Sequence, residues 1–144
     1  MPPETALARY ATLLESLTRD RLEELEALMA PGMRFRDPFN ATEGAAAYRD
    51  VLDDMFERLG HVQFTILSMA VGTDGAGHMT WTLTGGKSLR IEGASRIDFD
   101  TDGRVTSHVD YWDPARHLYE DVPLLGALLR RIRRRLAAPG AARA

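Results

Sequence analysis

The chain contains no cysteine. That excludes a disulfide framework and any thiolate nucleophile or thiolate metal site. It also lacks a long hydrophobic run; no stretch approaches the roughly 20 apolar residues that a bilayer span needs. The N-terminus, Met1-Pro2-Pro3-Glu4, has neither the basic flank nor the apolar segment of a secretion signal, so a cytoplasmic protein is expected. There is no phosphate-binding loop, since Gly85-Gly86-Lys87 reads as a hairpin turn, and no serine sits in a nucleophile motif. His61, His78 and His117 are too dispersed for metal-ligand spacing, and no metal or cofactor is expected. No internal repeat interrupts the chain.

What remains is an ordinary globular composition over 144 residues, enough for one domain with a real core. Charge is unevenly distributed. The net charge is −3, but residues 130–144 hold six arginines and no acid. Residues 1–129 carry twelve basic against twenty-one acidic side chains, or −9. An acidic body argues against nucleic acid as the main partner.

Hydrophobic spacing predicts three helices first. Ala6, Leu7, Tyr10, Leu13, Leu14 and Leu17 form one stripe, and Leu22, Leu25, Leu28 and Met29 a second, stopped by Pro31-Gly32. Tyr48, Val51, Leu52, Met55, Phe56 and Leu59 form a third, ended by Gly60. The period then changes. Residues 62–71, 77–84, 88–99 and 104–112 read as strands joined by short glycine-bearing turns. Helices followed by a strand meander give an α+β fold: a curved antiparallel sheet packed on three N-terminal helices, with an added C-terminal helix. The concave space between the layers would suit a small, mostly apolar ligand.

Two segments carry candidate chemistry. Met33-Arg34-Phe35-Arg36-Asp37-Pro38-Phe39 sets one carboxylate at a strand end beside apolar neighbours. An aspartate before proline is also a common turn starter. In His108-Val109-Asp110-Tyr111-Trp112, His108, Asp110 and Trp112 alternate on one face, while Val105, Val109 and Tyr111 take the other. By polarity alone the first set reads as solvated and the second as core. His108, Asp110 and Asp37 could also form a metal-binding facial triad, the weaker alternative.

The order of elements, together with Ala8-Arg9-Tyr10, Arg36-Asp37-Pro38-Phe39 and Tyr111-Trp112, resembles the nuclear transport factor 2-like superfamily over residues 5–120. Within it the chain is most similar to the SnoaL-like polyketide cyclases and the ketosteroid isomerases. The resemblance implies a cone-shaped α+β barrel with a hydrophobic pocket. It implies Asp37 as a base shuttling a proton beside a carbonyl, and Tyr10 as donor to the developing oxygen. It turns Trp112 into the pocket, and His108 and Asp110 with it; Asp110 matches the general acid/base of the cyclases. Ser95, Phe35 and Phe56 would complete the lining. At Ser95 the isomerases carry a protonated acid, and losing a good oxyanion donor typically costs about 10²–10³ in rate. The segment from Tyr10 to Asp37 is also longer than in the isomerases. The superfamily hosts isomerases, cyclases, hydrolases and plain binders, so the expected function is binding of a small ring-bearing or ketone-like molecule, with cofactor-free proton transfer. A non-catalytic ligand-binding or protein-interaction domain is the alternative. Epoxide hydrolysis would need an orienting arginine, for which Arg36 and Arg96 are the candidates. A homodimer through the open sheet face is expected, using Val105, Val109 and Tyr111.

Residues 1–122 are thus read as the domain and 123–136 as a C-terminal amphipathic helix. In it Leu124, Leu125, Leu128, Leu129, Ile132 and Leu136 oppose Arg130, Arg131, Arg133, Arg134 and Arg135. Docking on the acidic body is its first reading and a membrane surface its second. Residues 137–144 are expected to be disordered.

Overall fold

Proline at the first helical position starts α1 (Pro3–Glu15), where its missing N–H has no partner to lose. The computed structural model describes residues 1–119 and 122–138. After a single 3₁₀ turn (Arg19–Arg21) come α2 (Leu22–Glu26), β1 (Met29–Arg36), β2 (Ala41–Glu43) and α3 (Ala45–Leu59). Four longer strands follow: β3 (Val62–Val71), β4 (Gly77–Gly85), β5 (Leu89–Phe99) and β6 (Val105–Tyr111). Two further helices are α4 (Pro114–His117) and α5 (Leu125–Leu136). Residues Met1–Trp112 form one compact unit, and a second begins at Asp113.

The α+β class and the helix-then-strand order are as expected, and β3 to β6 fall within a residue or two of the predicted strands. Three details differ. The sheet has six strands in the order β2-β1-β6-β5-β4-β3, and it stays open rather than closing into a barrel. It is mixed: β1 runs parallel to β6, with Phe35 beside His108 and Arg36 beside Val109. The second helix stops at Glu26, and Met29 to Arg36, Pro31 included, form a strand. Proline is tolerated there because the pairing register shifts between Met29 and Arg34, so no regular ladder bond is required of it.

Helices α1 and α3 lie on one face of the sheet, α1 against β3 and α3 against β1. Leu7, Tyr10, Leu14, Leu25, Met33, Tyr48, Trp81, Ile97 and Val105 form the heart of the core. Each large apolar side chain withdrawn from water stabilises by about 1.5–3 kcal/mol. Gly60 closes α3 with φ 72°, a conformation that a Cβ would strain.

The register between β5 and β6 decides what faces inward. Ile97 pairs with His108 and Ser95 with Asp110, so all four share the helix-facing side. A register shift follows, with Asp98 opposite Ser107 but Phe99 opposite Val105. The extra residue, Thr106, reverses the alternation. Val105 is therefore buried, not on the outer face with Tyr111 as its spacing suggested. The outer face keeps Leu67 and Tyr111 exposed. It also holds a shallow hollow of about 390 Å³, lined in part by Ser68, Thr80, Ala94 and Tyr111.

Candidate functional site

Helix α1 carries Tyr10 on its buried stripe, and β6 carries His108 on its inward face. The Tyr10 hydroxyl lies 2.8 Å from His108 Nδ1. His108 Nε2 lies 2.8 Å from Asp110 Oδ1 and 3.2 Å from Ser95 Oγ. Trp81 donates its indole N–H to Ser95 Oγ at 2.8 Å, and Ser95 in turn donates to Asp110 Oδ1.

These contacts set the direction of every proton. An indole N–H can only donate and an ionised carboxylate only accept. Ser95 therefore receives from Trp81 and gives to Asp110. His108 then gives its Nε2–H to Asp110, which leaves Nδ1 to accept from Tyr10. Asp110 ends the chain. Its Oδ1 takes two hydrogen bonds, and its Oδ2 takes none from any described residue.

Aromatic rings enclose His108. Phe35, Tyr10 and Tyr48 each meet it edge-on, with centroids 5.6, 5.6 and 5.7 Å away. Phe35 also packs on Tyr48 at 4.2 Å. Burial pushes the Tyr10 phenol far above its ordinary range; a hydrogen bond with Tyr48 lowers it in part, and the Asp110 charge raises it. Tyr48 is raised well above its ordinary value too, by burial first, then by Tyr10, Asp110 and Asp37. Both phenols stay protonated across the neutral range. Thr42 Oγ1, on β2 opposite Phe35, is buried without a hydrogen-bond partner among the described residues.

Four of the residues singled out from sequence, Tyr10, His108, Asp110 and Ser95, thus meet in one cluster, with Phe35 against it. Trp112 lies half-buried at the end of the same strand, edge-on to Phe39 at 5.4 Å. Phe56 is buried in α3 two turns beyond Tyr48, about 12 Å along the axis, and lines a separate hollow with Gly60 and Val62.

Asp37 is differently placed. Its Oδ1 accepts from the backbone N–H of Phe39 at 2.7 Å and of Asn40 at 2.6 Å. The Asn40 amide reaches both of its oxygens at 3.1 Å. This is an Asx-type turn that Asp37 holds together. Continuing the β1–β6 register by one step sets Asp37 beside Asp110. Neither arginine candidate joins the cluster: Arg36 is exposed, and Arg96 pairs with Asp74 and Asp98 at 2.8 and 2.9 Å. No group of three or more histidines and carboxylates is arranged to hold a metal ion among the described residues.

Sequence reasoning missed Tyr48, Trp81 and Gly93. Tyr48 was read as one more apolar stripe residue. Trp81 sits opposite Gly93 on β5, and a Cβ on Gly93 would fall 2.5 Å from the indole ring. The bare glycine lets Trp81 lie across β5 and reach Ser95, two residues on. A glycine inside a strand is the signal that marks such a close approach.

No curated protein matches the chain in sequence. Solved structures do. A steroid delta-isomerase from Pseudomonas aeruginosa is 25% identical and superposes with a TM-score of 0.64, covering 95% of this chain and 96% of its own. The epoxide hydrolase/cyclase-like enzyme SalBIII, of pyran ring formation in salinomycin, is 16% identical with a TM-score of 0.65, covering 77% of this chain and 90% of its own. A putative SnoaL-like isomerase from Agrobacterium tumefaciens is 19% identical with a TM-score of 0.64, covering 78% of this chain and 99% of its own. The SnoaL-like domain itself matches residues 10–108, the stretch that opens at Tyr10 and closes at His108, and the chain belongs to that family.

Proposed function

We propose that the protein binds a small, hydrophobic, ring-bearing or ketone-like molecule on the helix-facing side of its sheet and moves a proton beside its carbonyl. The observation that carries this reading is the one-directional hydrogen-bond chain ending on Asp110. Asp110 Oδ2 is the open carboxylate oxygen, and Oδ1 is held by Ser95 and His108. The base takes a proton from the carbon next to the carbonyl, and the electron pair moves onto the carbonyl oxygen. Protonated Asp110 then returns the proton to another carbon or, in a ring closure, to the alkoxide oxygen left when the enolate carbon adds to a second carbonyl. Tyr10 gives its one O–H to His108 Nδ1, and Tyr48, kept protonated by burial, supplies the O–H donor for the developing negative charge. His108 and Ser95 fix the orientation of Asp110 through its Oδ1. Isomerisation and aldol cyclisation both use this set; the likeness to a steroid delta-isomerase supports the first, and SalBIII, an enzyme of pyran ring formation, supports ring closure more generally.

Asp37 is the second candidate base. It directly follows Arg36, which pairs with Val109 on β6 beside Asp110. The deciding experiment follows a β,γ-unsaturated cyclic ketone to its conjugated isomer, alongside ligand binding read from quenching of tryptophan emission. Turnover lost in Asp110→Asn and kept in Asp37→Asn supports the reading above. The reverse pattern moves the base to Asp37. Ligand binding without turnover in the wild type favours the non-catalytic binding domain.

The same reading pairs two copies through the outer sheet face, where Leu67 and Tyr111 are exposed. A dimer mass at micromolar concentration is expected, and Tyr111→Glu should shift it to the monomer. A monomeric wild type ends the idea.

A further inference from the structure

Helix α5 sorts its side chains into two sectors. On a 3.6-residue turn, Leu125, Leu128, Leu129, Ile132 and Leu136 fall within an arc of about 100°. Arg130, Arg131, Arg133, Arg134 and Arg135 occupy the remainder, and the helix contains no acid. Arg133 and Arg135 fall at the two borders of the apolar arc, where a long side chain can reach away from a buried stripe. The apolar row is open: Leu125, Leu128, Ile132 and Leu136 are 40, 53, 45 and 82% exposed. At 12 residues the helix is about 18 Å long, too short to cross a bilayer. No helix among the described residues is long and apolar enough to do so.

We propose that α5 is an interfacial helix that lies on an anionic lipid surface, with its leucine stripe in the acyl boundary and its arginines among the headgroups. The pattern of charge and apolarity selects this occupant. A polyanion such as nucleic acid would engage the arginines and leave the five leucine and isoleucine side chains of the stripe unused. A purely apolar protein groove would offer nothing to the arginine sector of the helix. Anionic lipid satisfies both sectors at once. The charge asymmetry also sets an orientation. Residues 1–129 carry −9 and are repelled by the surface that attracts the helix, so the chain attaches by its C-terminal end.

The test is co-sedimentation of the full chain with vesicles of phosphatidylcholine alone and of phosphatidylcholine with roughly one third phosphatidylglycerol, at low and high salt. The chain should pellet with the anionic vesicles only and be released by salt. Arg131→Ala with Arg134→Ala should weaken binding roughly thirtyfold. Leu128→Glu with Ile132→Glu should abolish it even at low salt. Thermal unfolding of each variant, read from tryptophan emission, should match the wild type. No pelleting of the wild type with anionic vesicles overturns the proposal. So does binding that survives the loss of the leucine stripe, which would make the attraction merely electrostatic. A leucine variant that unfolds at lower temperature while the wild type ignores vesicles would assign the stripe to a docking role inside the protein.

Discussion

Asp37 directly follows β1 and Asp110 lies on β6, the strand that pairs with it, yet the two carboxylates are held by opposite means. Every recorded hydrogen bond to Asp37 comes from within three residues of it, namely the backbone of Phe39 and Asn40 and the Asn40 amide. Those to Asp110 come from His108 on its own strand and from Ser95 on β5, which Trp81 on β4 holds in turn. The first carboxylate shapes a turn and would do so in a short peptide. The second exists as an oriented group only once four elements have assembled. A carboxylate saturated by its own loop is a structural part, whereas one with an oxygen left open by distant partners is available for chemistry.

The comparison can be broken at several points. The largest expected effect is on turnover. Asp110→Asn should lower the isomerisation rate by at least about a hundredfold, as removal of a general base does, while Asp37→Asn should change it by less than about threefold. Equal losses in the two variants would erase the distinction. Stability should separate the two regions next. Tyr10→Phe leaves His108 Nδ1 buried without a donor and should cost about 1–3 kcal/mol in urea unfolding. Asp37→Ala removes bonds in a half-exposed turn and should cost about 1 kcal/mol. A larger loss from the turn than from the buried network would invert the reading.

The smallest effect is confined to alkaline conditions. Tyr10 and Tyr48 have raised folded-state pKa values, so the native state keeps protons that the unfolded state releases. Their contribution is fully present below the unfolded tyrosine value of about 10 and declines as pH rises beyond it. Tyr10 and Tyr48 should yield tyrosinate absorbance only on unfolding. Tyrosinate formed by Tyr10 and Tyr48 in the folded protein at the ordinary tyrosine pH would refute the buried cluster.

The legibility of the sequence follows the same division between local and distant causes. The β3–β6 meander was readable because each connection carries its own glycines, and α3 because its stripe and its Gly60 stop are local. Strand β2 was missed, since Ala41-Thr42-Glu43 is too short for alternation to register. The boundary of α2 was misread because Leu28 and Met29 continue the helical spacing while already leading into β1. Val105 was put on the wrong face because one bulged residue, Thr106, reverses the alternation without leaving a mark in composition. In the site, Tyr10, His108 and Asp110 came from motif resemblance. Trp81, Gly93 and Tyr48 act through cross-strand and helix–sheet pairings that no local pattern reports.

The parallel pairing of β1 with β6 has a consequence for the order in which the molecule forms. Antiparallel neighbours β3 to β6 are joined by tight turns and can zip together early. Strand β1 must wait for a partner that follows some 70 residues later, and Tyr10 meets His108 across a separation of 98 residues. Contacts so far apart in sequence close slowly. As the chain leaves the ribosome, α1, β1 and β2 emerge long before β6 exists to pair with the other edge of β1 or His108 to accept the Tyr10 proton. The buried cluster is therefore among the last features to be completed, and a chain that has it has already folded.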